Sequence, residues 1–221
     1  MPLLCDFLIG VGLSHQVYVM RNHSSNMEWS MGFNLENMNR SMHSRTAWHY
    51  LPQQIPADHK QMKFSHFLEK HVLRYDALPL NPKDDHRMLL TIYSPTYNIF
   101  GKLTDGHSCN HTGESRFGRD YFIGAKGAGV NFHHHFEIYH HLISGRKLFL
   151  IVEDYSVLEG VLGPRDALAP NLEDLLELDG VKKCIIGPGD MIHLPKHAIH
   201  GVFNLETSIS SACVIHKRNI N

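Results

Sequence analysis

The residues of this chain with the clearest chemical potential lie in the run VNFHHHFE at positions 130–137. In a β-strand, side chains alternate between two faces, so His133, His135 and Glu137 are predicted to share one face of the strand. Imidazole binds Fe, Zn, Cu and Ni, and two histidines with one carboxylate are typical of non-haem Fe(II) sites. The run therefore predicts two neighbouring ligands of a metal centre.

A third ligand must come from a neighbouring strand, and His200 is the best placed histidine. It follows the Gly-Pro-Gly-Asp sequence at 187–190 by one strand and a bend at Pro195. The competing interpretation is a set of barrel-lining or surface histidines, because the chain contains 19 histidines and close pairs arise by chance. Local spacing alone leaves both interpretations open.

Short strands are the elements that must position these residues. From residue 120 onward, apolar runs recur between glycine and proline turns, and Gly-Pro-Gly-Asp is a strong signal for a tight turn. This rhythm predicts an all-β sandwich or barrel. The predicted strands are 121–125, 130–138, 147–152, 183–187, 190–194, 198–204 and 207–215.

The first half of the chain carries weaker signals. Residues 1–55 are rich in Asn, Ser, Met and His and predict an irregular segment. Apolar residues at helical spacing predict a helix from Lys60 to Arg74, and Met88–Tyr93 predicts a strand. Asn171 is predicted to cap a short helix over 172–178, between the early and the late strands.

Composition excludes several classes of partner. The net charge is −1 and the chain has no block of Lys and Arg, so nucleic-acid binding is not expected. No apolar run reaches the roughly 18 residues that a membrane helix needs. The apolar start of the chain is interrupted by Asp6 and lacks a basic leader, which makes it a poor match to a signal peptide.

The chain contains four cysteines, none of them in a C-x-x-C spacing. This pattern gives no support to a zinc ribbon or a thioredoxin-like site. Cys184 and Cys213 fall in late predicted strands and could face each other. The interpretation favoured by residue type is a pair of buried free thiols.

Five sequence blocks, in order, resemble the JmjC (jumonji C) domain: GAGVNFHHH at 127–135, GRKLFL at 145–150, CIIGPGDMIHLP at 184–195, His200, and NLET at 204–207. The resemblance is strong over 120–215, thinner over 60–119, and closest to the jumonji-domain-containing protein 8 branch, an endoplasmic-reticulum lumenal type. It implies a mainly β fold, a double-stranded β-helix (cupin or jelly-roll barrel) with peripheral helices. The implied domain spans 56–221, with its core at 120–215, after the segment 1–55.

The resemblance also implies a set of ligands. Active JmjC oxygenases hold Fe(II) with an H-x-D/E pair and a later His, and they bind 2-oxoglutarate through a Lys that follows a turn. Carried over, the later His is His200 and the Lys is Lys147. The early pair is His133 and His135 when counted from the flanking glycine turns. A slide of two residues makes it His135 and Glu137, which restores the carboxylate.

Lys147 and Asn204 each allow two interpretations. Lys147 is either the solvated end of a strand or a cationic anchor for a ligand carboxylate. Asn204 either supplies a hydrogen bond to the pocket or completes a turn at the end of a strand. Both residues are therefore predicted here as cofactor-binding candidates.

Two functions follow from these patterns. The first is an Fe(II)/2-oxoglutarate-dependent dioxygenase that hydroxylates a protein or a small molecule, favoured by Lys147 and the available Glu137. The second is a catalytically degenerate JmjC protein that acts by binding protein partners, favoured by the H-x-H pattern. The resemblance implies the endoplasmic-reticulum lumen, and the absence of a clear signal peptide leaves the cytoplasm as the alternative.

Overall fold

The computed structural model describes residues 16–21, 36, 46–50, 60–76, 89–94, 119–162 and 172–214. Within these residues the strands form two antiparallel sheets. The larger sheet contains β1 (Tyr18–Met20), β2 (Thr46–Tyr50), β3 (Lys60–Lys63), β4 (Leu89–Ser94), β5 (Arg119–Gly124), β7 (Ile138–Ser144), β10 (Met191–Leu194) and β12 (Ser208–Val214). The smaller sheet contains β6 (Gly129–His133), β8 (Lys147–Val152), β9 (Lys182–Ile186) and β11 (Ile199–Asn204).

The order of strands shows how the chain winds. The larger sheet runs β1-β10-β7-β12-β5-β4-β2-β3 and the smaller sheet runs β6-β11-β8-β9. From β5 to β8, and again from β9 to β12, successive strands alternate between the two sheets. This winding is that of a jelly roll, so the predicted double-stranded β-helix is confirmed.

The core lies between the two sheets, where apolar side chains at alternate strand positions meet. Phe149 on β8, Ile192 on β10 and Leu142 on β7 are each 0% exposed. A second cluster covers the outer face of the smaller sheet, where Leu175 of the helix α2 (Leu172–Glu177) packs among Leu148 and its neighbours. Burial of these apolar faces is what drives the sheets together.

Two glycines bring neighbouring strands into close contact. A Cβ atom on Gly129 would lie 2.2 Å from the carbonyl oxygen of Val202, so only glycine allows β6 to approach β11 at this point. Gly145 has φ +79° in the turn between β7 and β8, a conformation that favours glycine, and a Cβ there would lie 2.2 Å from the Thr207 carbonyl oxygen. These positions set the register of the strands around the site.

The predicted helix begins four residues late. Lys60–Lys63 pairs with β2 as strand β3, and the helical segment α1 consists of Phe64–Phe67, a π-helical part Leu68–Leu73 and a last turn Arg74–Asp76. The buried face of α1 is Phe64, Phe67, Leu68 and Val72. Strand pairing therefore overrides helical periodicity over the first four residues of the prediction.

Two further expectations differ from the structure, and a third is not tested by it. The segment 1–55, predicted to be irregular, contributes β1 and β2 to the larger sheet. The predicted single strand 130–138 is two strands, β6 and β7, separated by the loop 134–137. Asn171, the predicted helix cap, lies outside the described residues.

The prediction of free thiols at Cys184 and Cys213 is wrong, because both residues are disulfide-bonded. Cys184 is 0% exposed in the core between the sheets. In β12, Ala212 belongs to that same core, so Cys213, the next residue, points to the other face of its strand.

Among the residues that the structure describes, no helix has the length and apolar character needed to cross a membrane.

Candidate metal centre

Three histidines converge at one end of the barrel. His133 is the last residue of β6 and is paired directly with His200 on β11. Their ring centroids are 4.4 Å apart, and the His135 ring lies 4.7 Å from the His200 ring. One ligand atom of each residue falls within 4.8 Å of the others, a spacing suited to a single metal ion.

The hydrogen bonds of these histidines fix their tautomers. Each ring places Nδ1 near a backbone carbonyl oxygen: Asn131 for His133 at 2.8 Å, Phe136 for His135 at 2.6 Å, and Ala198 for His200 at 2.8 Å. Because a carbonyl oxygen only accepts, each Nδ1 carries the hydrogen and donates it. Each Nε2 then keeps its lone pair. This carbonyl-bound arrangement is the one that metal-ligating histidines adopt.

Burial keeps the three rings neutral. It lowers the pKa of His133 to about 4, with the nearby His135 and His134 acting in the same direction. Burial also lowers the pKa of His135, and it lowers that of His200 well below its usual value, with His133 as the next cause. Metal binding requires neutral imidazole, so these ligands need not lose a proton at neutral pH.

The arrangement of the early ligands differs from the prediction. His133, His135 and Glu137 do not share one face of a single strand, because β6 ends at His133 and the other two lie in the loop 134–137. Glu137, the alternative ligand, places Oε1 3.0 Å from Nε2 of His193 on β10. The described geometry thus brings together His133, His135 and His200, and it directs Glu137 to a different partner.

Lys147 and Asn204 form a buried polar pair inside the same barrel. They are cross-strand neighbours on β8 and β11, and Lys147 Nζ donates to Asn204 Oδ1 at 2.8 Å. Lys147 is 1% exposed and Asn204 is 0% exposed, so neither is a solvated strand end. Asn204 Nδ2 also donates to the Ala125 carbonyl oxygen at 3.3 Å. Burial lowers the pKa of Lys147 to about 7.

Three further buried polar atoms accompany this pair, and the sequence analysis missed them. His140 Nε2, Ser208 Oγ and Ser210 Oγ are buried without a hydrogen-bond partner among the described residues. Ser208 and Ser210 lie four and two residues before the inward-facing Ala212 on β12. Their side chains therefore point to the same inner face of the strand. The sequence feature that could have identified these two serines is their occurrence at alternate positions of an otherwise apolar strand.

His140 lies between the lysine and the three histidines. Its ring is stacked 5.4 Å from Phe122 and meets Phe149 edge-on at 5.3 Å, so its orientation is fixed. Burial, and then the charge of Lys147, lower its pKa well below the usual value. His140 is therefore a neutral group whose Nε2 has no hydrogen-bond partner within the described part of the chain.

The polar atoms inside the barrel can be compared with the hydrogen-bond donors that a dicarboxylate such as 2-oxoglutarate requires. A buried amine and two hydroxyls offer donors for a carboxylate, and buried polar groups without partners are costly unless a ligand or water satisfies them. The three Nε2 atoms suit a divalent transition metal. The residues present therefore fit both groups.

The rim of the barrel beside the three histidines is exposed and carries basic and aromatic side chains. Phe136 is 52% exposed, and Lys196 Nζ lies 6.0 Å from the centre of its ring. The exposed rings of His134 and His197 meet edge-on at 5.5 Å. His197 has φ +68°, a left-handed conformation, and its N–H donates to the His135 carbonyl oxygen at 3.1 Å. The rim is thus tied to the backbone of a candidate ligand.

Comparison with solved structures finds many chains of similar fold, and one of them is an oxygenase. The chain is similar to YcfD, a ribosomal oxygenase from Escherichia coli whose structure is in complex with cobalt and succinic acid. The two share 12% sequence identity at a TM-score of 0.54, over 94% of this chain and 49% of that chain. This chain spans about half the length of that oxygenase, and a likeness at this identity shows the fold alone. No protein-family profile and no curated protein matches the sequence.

Proposed function

We propose that this chain is a JmjC-type cupin protein that acts as an Fe(II)/2-oxoglutarate-dependent oxygenase on a protein or a small molecule. The observation that carries the proposal is the convergence of three neutral Nε2 atoms, from His133, His135 and His200, in the barrel that also buries Lys147. The metal, when bound, supplies activation of O₂ for hydroxylation. The similarity of fold to an oxygenase whose structure holds cobalt and succinic acid supports the same assignment.

The histidines hold the metal in this proposal. Their Nδ1 hydrogens stay on the backbone carbonyls, so the rings cannot rotate away without breaking those bonds. His133 and His200 lie on paired strands and form the rigid side of the site. His135 completes the set from the loop 134–137.

Lys147 and Asn204 anchor the cosubstrate in this proposal. A carboxylate beside Nζ would favour the charged form of the amine. It would also compensate for the hydration that the amine loses on burial in the barrel. Ser208 and Ser210 add hydroxyl donors, and His140 fixes the wall between the amine and the metal ligands. Lys147 and Asn204 would thus hold a carboxylate of the cosubstrate, while the three histidines would hold the metal.

A second function is favoured by one specific observation, the lack of a carboxylate among the three converging residues. Three neutral ligands leave a divalent metal with its full charge of +2, whereas a carboxylate would reduce it to +1. That difference alters how cosubstrate and O₂ are held. The second candidate is therefore a metal-binding JmjC protein that lacks turnover and acts by binding protein partners.

The compartment belongs to the same proposal. Cys184 and Cys213 are both disulfide-bonded, and disulfides persist in oxidising compartments while being rare in the cytosol. This supports the endoplasmic-reticulum lumen and the jumonji-domain-containing protein 8 branch that the sequence blocks resemble. Trapping of thiols in cells tests it: both cysteines should resist alkylation before reduction, and alkylation without reduction would place the chain in a reducing compartment.

The experiment that separates the two functions is 2-oxoglutarate turnover. Fe(II)-loaded protein is incubated with 2-oxoglutarate, O₂ and ascorbate, and succinate is measured by NMR. The oxygenase proposal predicts succinate from the wild type and none above background from His200→Ala or Lys147→Met. Binding of metal and 2-oxoglutarate without succinate, with or without a cell extract as a source of substrate, would instead establish the binding protein.

A further inference from the structure

A partly buried contact between Glu137 and His193 fixes the loop that carries His135. Glu137 is the last residue of the loop 134–137, immediately before β7 begins at Ile138. Its Oε1 lies 3.0 Å from Nε2 of His193, and the two side chains are 13% and 1% exposed. The loop is therefore anchored to the larger sheet two residues after the candidate ligand.

His193 is itself held on every side. Its Nδ1 lies 3.0 Å from the Gln16 carbonyl oxygen, which only accepts, so Nδ1 donates. A hydrogen bond between Nε2 and Glu137 Oε1 holds the other side of the ring. Tyr18 and Tyr139 are its cross-strand neighbours on β1 and β7, with ring centroids 4.6 and 4.8 Å away. Two hydrogen bonds and two aromatic contacts therefore hold the His193 ring in one orientation.

The three candidate ligands differ in what supports them. His133 and His200 are held by the pairing of β6 with β11. His135 has no strand of its own, and its Nδ1 bonds to the carbonyl of the next residue, Phe136, within the same loop. Any displacement of the loop therefore moves the His135 ring and the bond that orients it. Hydrogen bonds tie the loop to neighbouring elements, among them Glu137 with His193 and the His135 carbonyl with the His197 N–H.

We propose that Glu137 and His193 are positioning residues for the metal ligand His135, acting through the loop 134–137 without binding the metal. The inference rests on the proposed metal site. It gives the carboxylate of Glu137 a role in the site that is different from the ligand role its spacing suggests. Partners that orient a ligand from outside the coordination sphere typically change metal affinity by about 10- to 100-fold.

Co(II) binding to the purified chain tests the proposal, with the visible absorption of the bound ion as the signal. Glu137→Ala and His193→Gln should each weaken Co(II) binding by about tenfold or more. The glutamine amide at 193 cannot bridge Gln16 and Glu137 at once, so it breaks the same link without emptying the space. Glu137→Gln should stay near wild type, because its amide can donate to His193 Nε2. Glu153→Ala, which removes an exposed ion pair with Lys182, is the matched control and should not change binding.

Amide hydrogen exchange of the metal-free protein provides the second measurement. The peptide that covers 134–137 should exchange faster in Glu137→Ala and His193→Gln than in the wild type, while the β8 peptide stays unchanged. If the wild type fails to bind Co(II) but the loop loosens in both variants, the proposed function and the metal-positioning role fall, and only the anchoring of the loop by Glu137 and His193 stands. Wild-type Co(II) affinity and unchanged loop exchange in both variants would overturn the positioning role.

Discussion

His133 and His200 face each other directly across β6 and β11, with ring centroids 4.4 Å apart. Gly129, four residues before His133, allows the close approach of the two strands, since any Cβ there would meet the Val202 carbonyl at 2.2 Å. Both Nδ1 atoms donate to backbone carbonyls, so both Nε2 atoms are available as ligands. The pair is the rigid half of the candidate metal centre.

Substitution of a metal ligand should lower metal affinity more than substitution of a histidine outside the ligand set. His133→Ala is expected to weaken Zn(II) or Co(II) binding by at least about 100-fold, because the ion loses one of three protein bonds. His66→Ala is the matched control, since that histidine is exposed on α1 and is not part of the three-histidine group. Titration with each metal at pH 7 gives the comparison. If Glu137→Gln lost binding as completely as His133→Ala, the carboxylate would be the ligand after all.

Lys147→Met should separate cosubstrate binding from metal binding. Loss of the buried amine is expected to weaken 2-oxoglutarate binding by at least about tenfold, the typical effect of a lost charged hydrogen bond, while Co(II) binding is retained. The free energy of unfolding without ligand should rise by on the order of 1 to 4 kcal/mol, because the burial cost of the amine, which lowers its pKa to about 7, no longer opposes folding. Calorimetric titration and urea unfolding measure the two effects. A variant that binds 2-oxoglutarate normally would exclude Lys147 as its anchor.

The low pKa of Lys147 predicts a dependence of stability and binding on pH. Its folded pKa is about 7, below the 10.5 of an unburied lysine. Between these values the unfolded chain binds more protons, so stability without ligand should rise as pH rises from 7 to 10.5. A bound carboxylate favours the charged amine, so 2-oxoglutarate affinity should fall as pH rises through that range. Titration at pH 8 in two buffers of different ionisation enthalpy should detect proton uptake in the wild type and none in Lys147→Met.

The unpartnered serines predict a ligand-specific effect. Ser208→Ala combined with Ser210→Ala should weaken 2-oxoglutarate binding to the metal-loaded protein, because two hydroxyl donors are lost. The same change should not lower the stability of the ligand-free protein, since neither hydroxyl has a hydrogen-bond partner among the described residues. Ser211→Ala, on the opposite face of β12, is the control. Equal 2-oxoglutarate affinity in all three proteins would remove the serines from the pocket.

Much of the barrel could be predicted from the sequence because its strands are short apolar runs between glycine and proline turns. The turn at 187–190 and the strand that contains Lys147 follow directly from such local signals. The convergence of His133 with His200 could be expected only from the ordered set of sequence blocks, because their pairing depends on strand register. Local spacing in a chain with 19 histidines could not have distinguished them.

The loop 134–137 could not be predicted from the sequence. The alternation of side chains expected in a strand does not show whether the residues continue the strand or leave it as a loop. The run 130–138 is apolar enough to suggest one strand, yet the chain turns after His133 and starts β7 at Ile138. Glu137 finds its partner 56 residues further along the chain, in His193. Strand β1 was missed for a related reason, since its partner β10 begins only at Met191, whereas β2 pairs with the nearer strands β3 and β4.

Metal content after anaerobic loading with Fe(II) tests the central claim most directly. Purified chain is incubated with Fe(II), freed of excess metal by gel filtration without oxygen, and assayed by elemental analysis beside a variant in which His133, His135 and His200 are all alanine. The account predicts close to one iron per wild-type chain and a background amount in the variant. Equal, substoichiometric iron in both proteins would contradict it, because the three converging Nε2 atoms would then not form a metal site.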